Sequence, residues 1–152
     1  MINDQTSKDP VAILFLVEPD ENGYPSVSRE EIWCTSAGGD KFIIDNIPFY
    51  ARDVSMGDEI STEIRDGERW FKKVAKLSRN TTVRVFARKS EIAPMLVPTL
   101  QSFGGMIEKM EGSPLIAVSL PASADIEGVM DYLDRESNAG SIGFEESSVR
   151  YR

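Results

Sequence analysis

The pattern of hydrophobic and polar positions changes near residues 77–81, which divides the chain into two parts. In the first part, short segments are either continuously apolar or alternate between apolar and polar residues, which is typical of β-strands. Turn residues separate them, and the Asp66-Gly67 pair favours a tight hairpin. We therefore predict a small antiparallel β-barrel-like subdomain over residues 10–79, with strands at 11–17, 41–44, 59–64 and 69–77.

The second part mixes strand and helix patterns in the order β-α-β-β-α-β. This order is that of the ferredoxin-like motif, so we predict a ferredoxin-like subdomain over residues 80–152 and an α+β fold for the whole chain. Pro98 predicts that the first helix is kinked or starts late. Ser123 is the expected N-cap of the second helix, and Gly140 its end. The predicted strands are 82–87, 106–111, 115–120 and 141–151, and the first helix covers about 92–103.

Composition and charge restrict the class of protein. The 152 residues carry 25 acidic and 17 basic side chains, a net charge of −8 that disfavours binding to nucleic acid. The longest apolar run is far shorter than the roughly 20 residues of a membrane span, so no membrane association is expected. Residues 1–9 are polar, lack the features of a signal peptide and are expected to be flexible. A single cysteine, Cys34, fits a reducing compartment, and we expect a cytoplasmic protein.

The segment 45–58 makes the most unusual demands on the backbone. Pro48 removes a donor from any strand ladder and restricts the residue before it, so a strand must end or bulge there. One interpretation, which we favour, is a structural corner of the barrel. The other is a binding surface. The candidate binding residues are Asp45, Asn46, Pro48, Phe49, Tyr50 and Asp58.

The same block resembles a bacterial family known as domain of unknown function 4265. The similarity rests on residues 28–33, 45–51 and 54–58, together with Phe103-Gly104-Gly105 and Glu108, and it spans about residues 11–147. The block at 45–51 with its following Gly-Asp pair is the most specific part. The resemblance implies no activity, but it supports the two-part outline and the importance of the block.

The residue inventory excludes several catalytic classes. The chain has no histidine, so Ser-His-Asp and Cys-His mechanisms are impossible within one chain. Cys34 is expected to be buried and inert, because neighbouring acidic residues raise a thiol pKa. Two weaker alternatives stay open. A carboxylate pair could hydrolyse a substrate, and three aspartates could bind magnesium. The carboxylate candidates are Glu30, Glu31, Asp45 and Asp58, and the magnesium candidates are Asp45, Asp53 and Asp58.

These observations favour a non-catalytic binding or regulatory protein that needs no cofactor or metal. An acidic inhibitor or immunity-type protein that covers a basic protein partner is the specific form we predict. The first alternative is a small-molecule sensor built on residues 80–152, and the second is the carboxylate hydrolase. Composition leaves the oligomeric state open.

Overall fold

The chain divides into two structural units, one ending at Ser78 and the other beginning at Arg79. The computed structural model describes residues 9–151. The prediction that residues 1–9 are flexible therefore concerns residues that lie, apart from Asp9, outside the described part of the chain. Within 9–151 there are nine strands in two sheets and two helices. The predicted α+β class is confirmed.

The first unit contains five strands, whose sheet closes on itself. Consecutive strands pair antiparallel, and β1 also meets β5 in a parallel pairing of Leu14 with Trp70. The pair that closes the barrel, β1 with β5, is parallel. The barrel is therefore not antiparallel throughout, contrary to the prediction from the sequence pattern. Alternate residues of β1 and β2, such as Ile13 and Ile32, are buried in its core. The strands are β1 (Val11–Leu16), β2 (Arg29–Gly38), β3 (Lys41–Ile44), β4 (Glu59–Arg65) and β5 (Glu68–Lys76).

Strand β2 is the element that the sequence pattern did not predict. Only Ile32 and Cys34 are buried within its ten residues, so the apolar signal is short. The hairpin between β4 and β5 is confirmed. Arg65 pairs with Glu68, and the intervening Asp66 and Gly67 have φ angles of 52° and 80°. Two positive φ angles are what a two-residue hairpin of this kind requires.

The second unit places two helices against one face of a four-stranded sheet. Its strand order is β7-β8-β6-β9, and all neighbouring strands are antiparallel. Leu96 and Leu100 of the first helix and Val129 and Leu133 of the second share one core with the sheet. The elements are β6 (Thr81–Ala87), α1 (Ala93–Ser102), β7 (Met106–Lys109), β8 (Leu115–Leu120), α2 (Ile126–Asn138) and β9 (Ile142–Ser148).

Two details of the predicted helices need correction. The N-cap of α2 is Asp125 and not Ser123, because the Asp125 carboxylate accepts the Gly128 N–H at 2.9 Å. Helix α1 starts at Ala93 and contains Pro98, so it does not start late. Neither helix in the described part of the chain has the length and apolar character needed to cross a membrane.

Candidate functional site

The candidate site is the connection between β3 and β4, which begins at Asp45. Its first two residues continue the pairing of β3 with β2 beyond the end of the strand. The Asp45 N–H donates to the Trp33 carbonyl at 2.9 Å. The Asn46 side-chain oxygen accepts the Trp33 N–H, also at 2.9 Å. The Asn46 side chain thus takes the place of a backbone acceptor and fixes Trp33 to the connection.

The next part of the connection is held by Glu30 of β2. Its carboxylate accepts the N–H groups of Phe49 at 2.7 Å, Tyr50 at 2.9 Å and Ala51 at 2.9 Å. These three residues follow Pro48, which has no N–H of its own. Hydrogen bonds to an ionised acceptor are stronger than neutral ones, so one side chain holds this whole turn. The role of Glu30 in holding the connection was not predictable from the sequence, because a spacing of 19 to 21 residues does not indicate such a contact.

The end of the connection is held by Asp58, which is fully buried. One carboxylate oxygen accepts the Ser55 N–H at 2.9 Å, and the other accepts the Ser78 N–H at 2.8 Å. The Ser78 hydroxyl in turn donates to the Met56 carbonyl at 2.8 Å. Gly57, with φ of 89°, makes the turn that brings Asp58 into this position. The connection is therefore tied to the residues that follow β5.

The candidate binding residues thus divide into two groups. Asp45 is exposed, and Asn46, Phe49 and Tyr50 are half-buried. Pro48 and Asp58 are buried. The accessible part of the segment is therefore Asp45 with parts of its three half-buried neighbours.

Trp33, which is not among the predicted binding residues, adds a large exposed surface. Its side chain is 50% exposed. Because Cys34 pairs with Ile44, Trp33 lies opposite Asp45, and the two side chains share one face of the sheet. The exposed residues Glu31 and Ile43 each lie two positions away on the same face. The alternation of Glu31, Ile32, Trp33 and Cys34 is the sequence signal that could have placed Trp33 on the outside.

Cys34 lies on the opposite, inward side of β2 and is fully buried. Burial, with a further contribution from the Asp45 carboxylate, raises the pKa of its thiol to about 12. A thiol that stays protonated is a poor nucleophile and a poor metal ligand. The described residues contain no cluster of three or more histidine, cysteine, aspartate or glutamate side chains that could hold a metal ion. Asp45, Asp53 and Asp58 therefore do not form such a cluster.

Two of the candidate catalytic carboxylates are part of the scaffold. Both oxygens of Glu30 and both oxygens of Asp58 accept backbone N–H groups. Glu31 and Asp45 are exposed on the outer face of the sheet. A hydrolase that used Glu30 or Asp58 would have to release the backbone of the connection in order to free the carboxylate.

Comparisons with known proteins concern the family and the fold. The family model described as "Domain of unknown function (DUF4265)" matches residues 30–144. No curated protein shows a significant match to the chain. One solved structure, a hypothetical protein from Neisseria gonorrhoeae, is similar with a TM-score of 0.75 and 19% sequence identity. The match covers 93% of this chain and 98% of the other. At this identity the similarity concerns the fold alone.

Proposed function

The chain belongs to the family described as domain of unknown function DUF4265, and we propose that it is a non-catalytic binding protein for a basic protein partner. The first unit supplies the binding surface, which we define as Trp33, Asp45 and the flanking Glu31 and Ile43. The observation that carries the proposal is the position of Trp33. It is half exposed, while its backbone C=O and N–H are held by Asp45 and Asn46 respectively.

The backbone of this surface is held in place from behind. Glu30 and Asp58 use their carboxylates to hold the backbone of the connection behind Asp45. A surface whose backbone is already ordered loses little conformational entropy on binding, and more of the contact energy contributes to affinity. The half-buried Glu30 and the buried Asp58 both use their carboxylates for positioning, which fits a binding protein better than a carboxylate enzyme.

The exposed groups of this surface have the chemistry of a site for a basic protein. Tryptophan is enriched among the residues that contribute most to protein–protein affinity. The face of its indole ring attracts the cations of arginine and lysine. Asp45 and Glu31 place carboxylates beside it, and the net charge of −8 attracts a basic partner at longer range. This combination suits an acidic inhibitor or immunity-type protein that covers a basic cleft.

The strand order β7-β8-β6-β9, with both helices on one face, supports a ferredoxin-like assignment for the second unit. A small-molecule sensor in this unit is the second candidate function, and a cavity beneath α1 favours it.

The free thiol of Cys34 supports the cytoplasm as the proposed location.

The binding proposal is tested by capture from a lysate of the source cells with four matched baits. These are the wild-type protein, Trp33→Ala, Asp45→Asn and the control Ile64→Ala. Ile64 is also exposed, at 57%, but lies at the far end of β4 outside the binding surface. We expect a basic protein to be captured by the wild type and the control. Its affinity should fall about 30-fold with Trp33→Ala, which corresponds to about 2 kcal/mol.

The effect of salt on capture, measured for the wild type and for Asp45→Asn, tests the electrostatic contribution to binding. Capture should weaken as ionic strength rises, and Asp45→Asn should reduce this dependence. A partner that all four baits retain equally would contradict the proposed surface. An acidic partner would contradict the charge argument.

A further inference from the structure

The second unit contains a cavity of about 310 Å³ beneath the start of α1. It lies where β6 ends and where the hairpin of β7 and β8 turns. The buried side chains of Leu96 and Ile116 form its apolar base. Its volume is at the lower end of the range of about 300–1,000 Å³ that small-molecule sites occupy. The cavity therefore suits a small ligand with an apolar part.

The charged side chains that line the cavity are both positive. Lys89 and Lys109 line it, together with the hydroxyl groups of Ser90 and Ser113, and no carboxylate side chain is among the described lining residues. This is the reverse of the whole chain, in which acidic residues outnumber basic ones by 25 to 17. Two ammonium groups without a carboxylate between them favour an anion.

The two lysines differ in how far they are engaged. Lys89 donates to the Ala139 carbonyl over a long distance of 3.4 Å. The Lys109 side chain has no hydrogen bond or ion pair with any residue in the described range 9–151. The Ser113 hydroxyl oxygen accepts the Leu115 N–H at 3.1 Å, which leaves its O–H free to donate. Lys109 and Ser113 are thus both available to an oxygen-bearing anion.

We propose that this cavity binds a small amphipathic anion, namely a medium-chain carboxylate. Its apolar tail would contact Leu96 and Ile116, and its carboxylate would lie between Lys109 and Lys89. An inorganic anion would leave the apolar base exposed to water, and a neutral alkyl chain would leave the lysines unused. This inference rests on the second candidate function, small-molecule sensing, and is independent of the binding surface of the first unit.

The test uses the full-length protein and three eight-carbon probes that differ only in the head group: octanoate, 1-octanol and octylammonium. Binding is followed by changes in backbone amide chemical shifts. We expect octanoate to shift resonances around Ala87, Ala93 and Ser113, and to bind about tenfold more tightly than octanol. Octylammonium should bind more weakly than octanol.

Matched variants test two points separately: the contribution of the lysine charge to binding, and the position of the ligand in the cavity. Lys109→Gln should weaken octanoate binding about threefold and leave octanol binding unchanged. The control Lys73→Gln removes an exposed lysine from β5 in the first unit and should leave the binding of both octanoate and octanol unchanged. Ala93→Leu fills the cavity with a larger side chain at an exposed position and should abolish the binding of both probes.

The outcomes separate the ligand class from the sensing function. Equal affinity for octanoate and octanol, or tighter binding of octylammonium, would overturn the anion proposal and leave a neutral or cationic ligand for the sensor. Shifts that Ala93→Leu does not remove would place the ligand elsewhere and overturn the proposed site. No binding of any probe would overturn both the anion proposal and the sensing function of this cavity.

Discussion

Glu30 and Phe49 are joined by a hydrogen bond of 2.7 Å from the Phe49 N–H to the Glu30 carboxylate, across 19 residues of sequence. The same carboxylate holds Tyr50 and Ala51. We expect Glu30→Gln to reduce the free energy of unfolding by about 2–3 kcal/mol, because hydrogen bonds to charged acceptors contribute more than neutral ones. Urea unfolding followed by tryptophan fluorescence measures this, since both tryptophans, Trp33 and Trp70, lie in the first unit.

The control for this experiment is Glu31→Gln on the same strand. Glu31 is exposed, and its substitution should change the free energy of unfolding by less than about 0.5 kcal/mol. Equal effects of the two substitutions would show that Glu30 does not hold the connection.

Asp58 should be equally intolerant of neutralisation. Asp58→Asn replaces one acceptor oxygen by an NH₂ group that faces the N–H of Ser55 or of Ser78. A buried donor is then left without an acceptor, and we expect a loss of about 2–4 kcal/mol in unfolding free energy. Asp66→Asn is the matched control, because asparagine tolerates the positive φ of 52° at this exposed turn. A loss below that of the control would contradict the role of Asp58.

Cys34 predicts a dependence of stability on alkaline pH. Its folded pKa of about 12 lies above the ordinary value of 9.0, so the folded state favours the neutral thiol. The contribution of this group to stability is complete below pH 9 and is lost as the pH rises from 9 towards 12. Between pH 9 and pH 10 the wild type should lose about 1 kcal/mol more unfolding free energy than Cys34→Ala.

Thiol labelling provides a second check on Cys34. At pH 8 an aromatic disulfide reagent should label the unfolded protein rapidly and the folded protein only at the rate of unfolding. Fast labelling of the folded protein would contradict both the burial and the raised pKa.

Replacing Gly128 by alanine should destabilise the protein, although the same replacement at most helical glycines stabilises it. In α2 such a change normally stabilises by about 0.5–1 kcal/mol. Here a Cβ would lie 2.7 Å from the Phe103 ring and 2.5 Å from the Asp125 carboxylate. We expect Gly128→Ala to destabilise the second unit by about 1–2 kcal/mol. Circular dichroism at 222 nm measures it, since both described helices belong to this unit.

A double variant tests the cause. Phe103→Leu should relieve the contact, so Gly128→Ala should cost less in that background than in the wild type. An unchanged cost would mean that the ring is not the obstacle.

The parts of the fold that depend on local sequence were predictable. The Asp66-Gly67 pair identified the hairpin, and the helix pattern that ends at Gly140 identified α2. Strand β2 was missed, because two inward residues in ten give too short an alternation. The N-cap was misplaced by two residues, since Ser123 and Asp125 are both suitable caps and only the contact with Gly128 distinguishes them.

The candidate site was predictable only as a segment. Pro48 and the Gly57-Asp58 pair showed that residues 45–58 leave the regular strand geometry. The role of each side chain depends on residues distant in sequence, such as Glu30 with Tyr50 and Asp58 with Ser78. The position of Trp33 opposite Asp45 also depends on the register of β2 against β3. No spacing rule within one chain contains this information.

The parallel contact of Leu14 with Trp70 has a consequence for how the protein is made. It joins the first strand to the fifth, so the core of the first unit cannot close until β5 has left the ribosome. Until then the apolar residues of β1 lack the part of their cover that β5 supplies, such as Phe71, whose ring stacks on Phe15. Such distant pairings slow folding. The nascent chain therefore exposes its most hydrophobic strand for longer than a chain of local hairpins would.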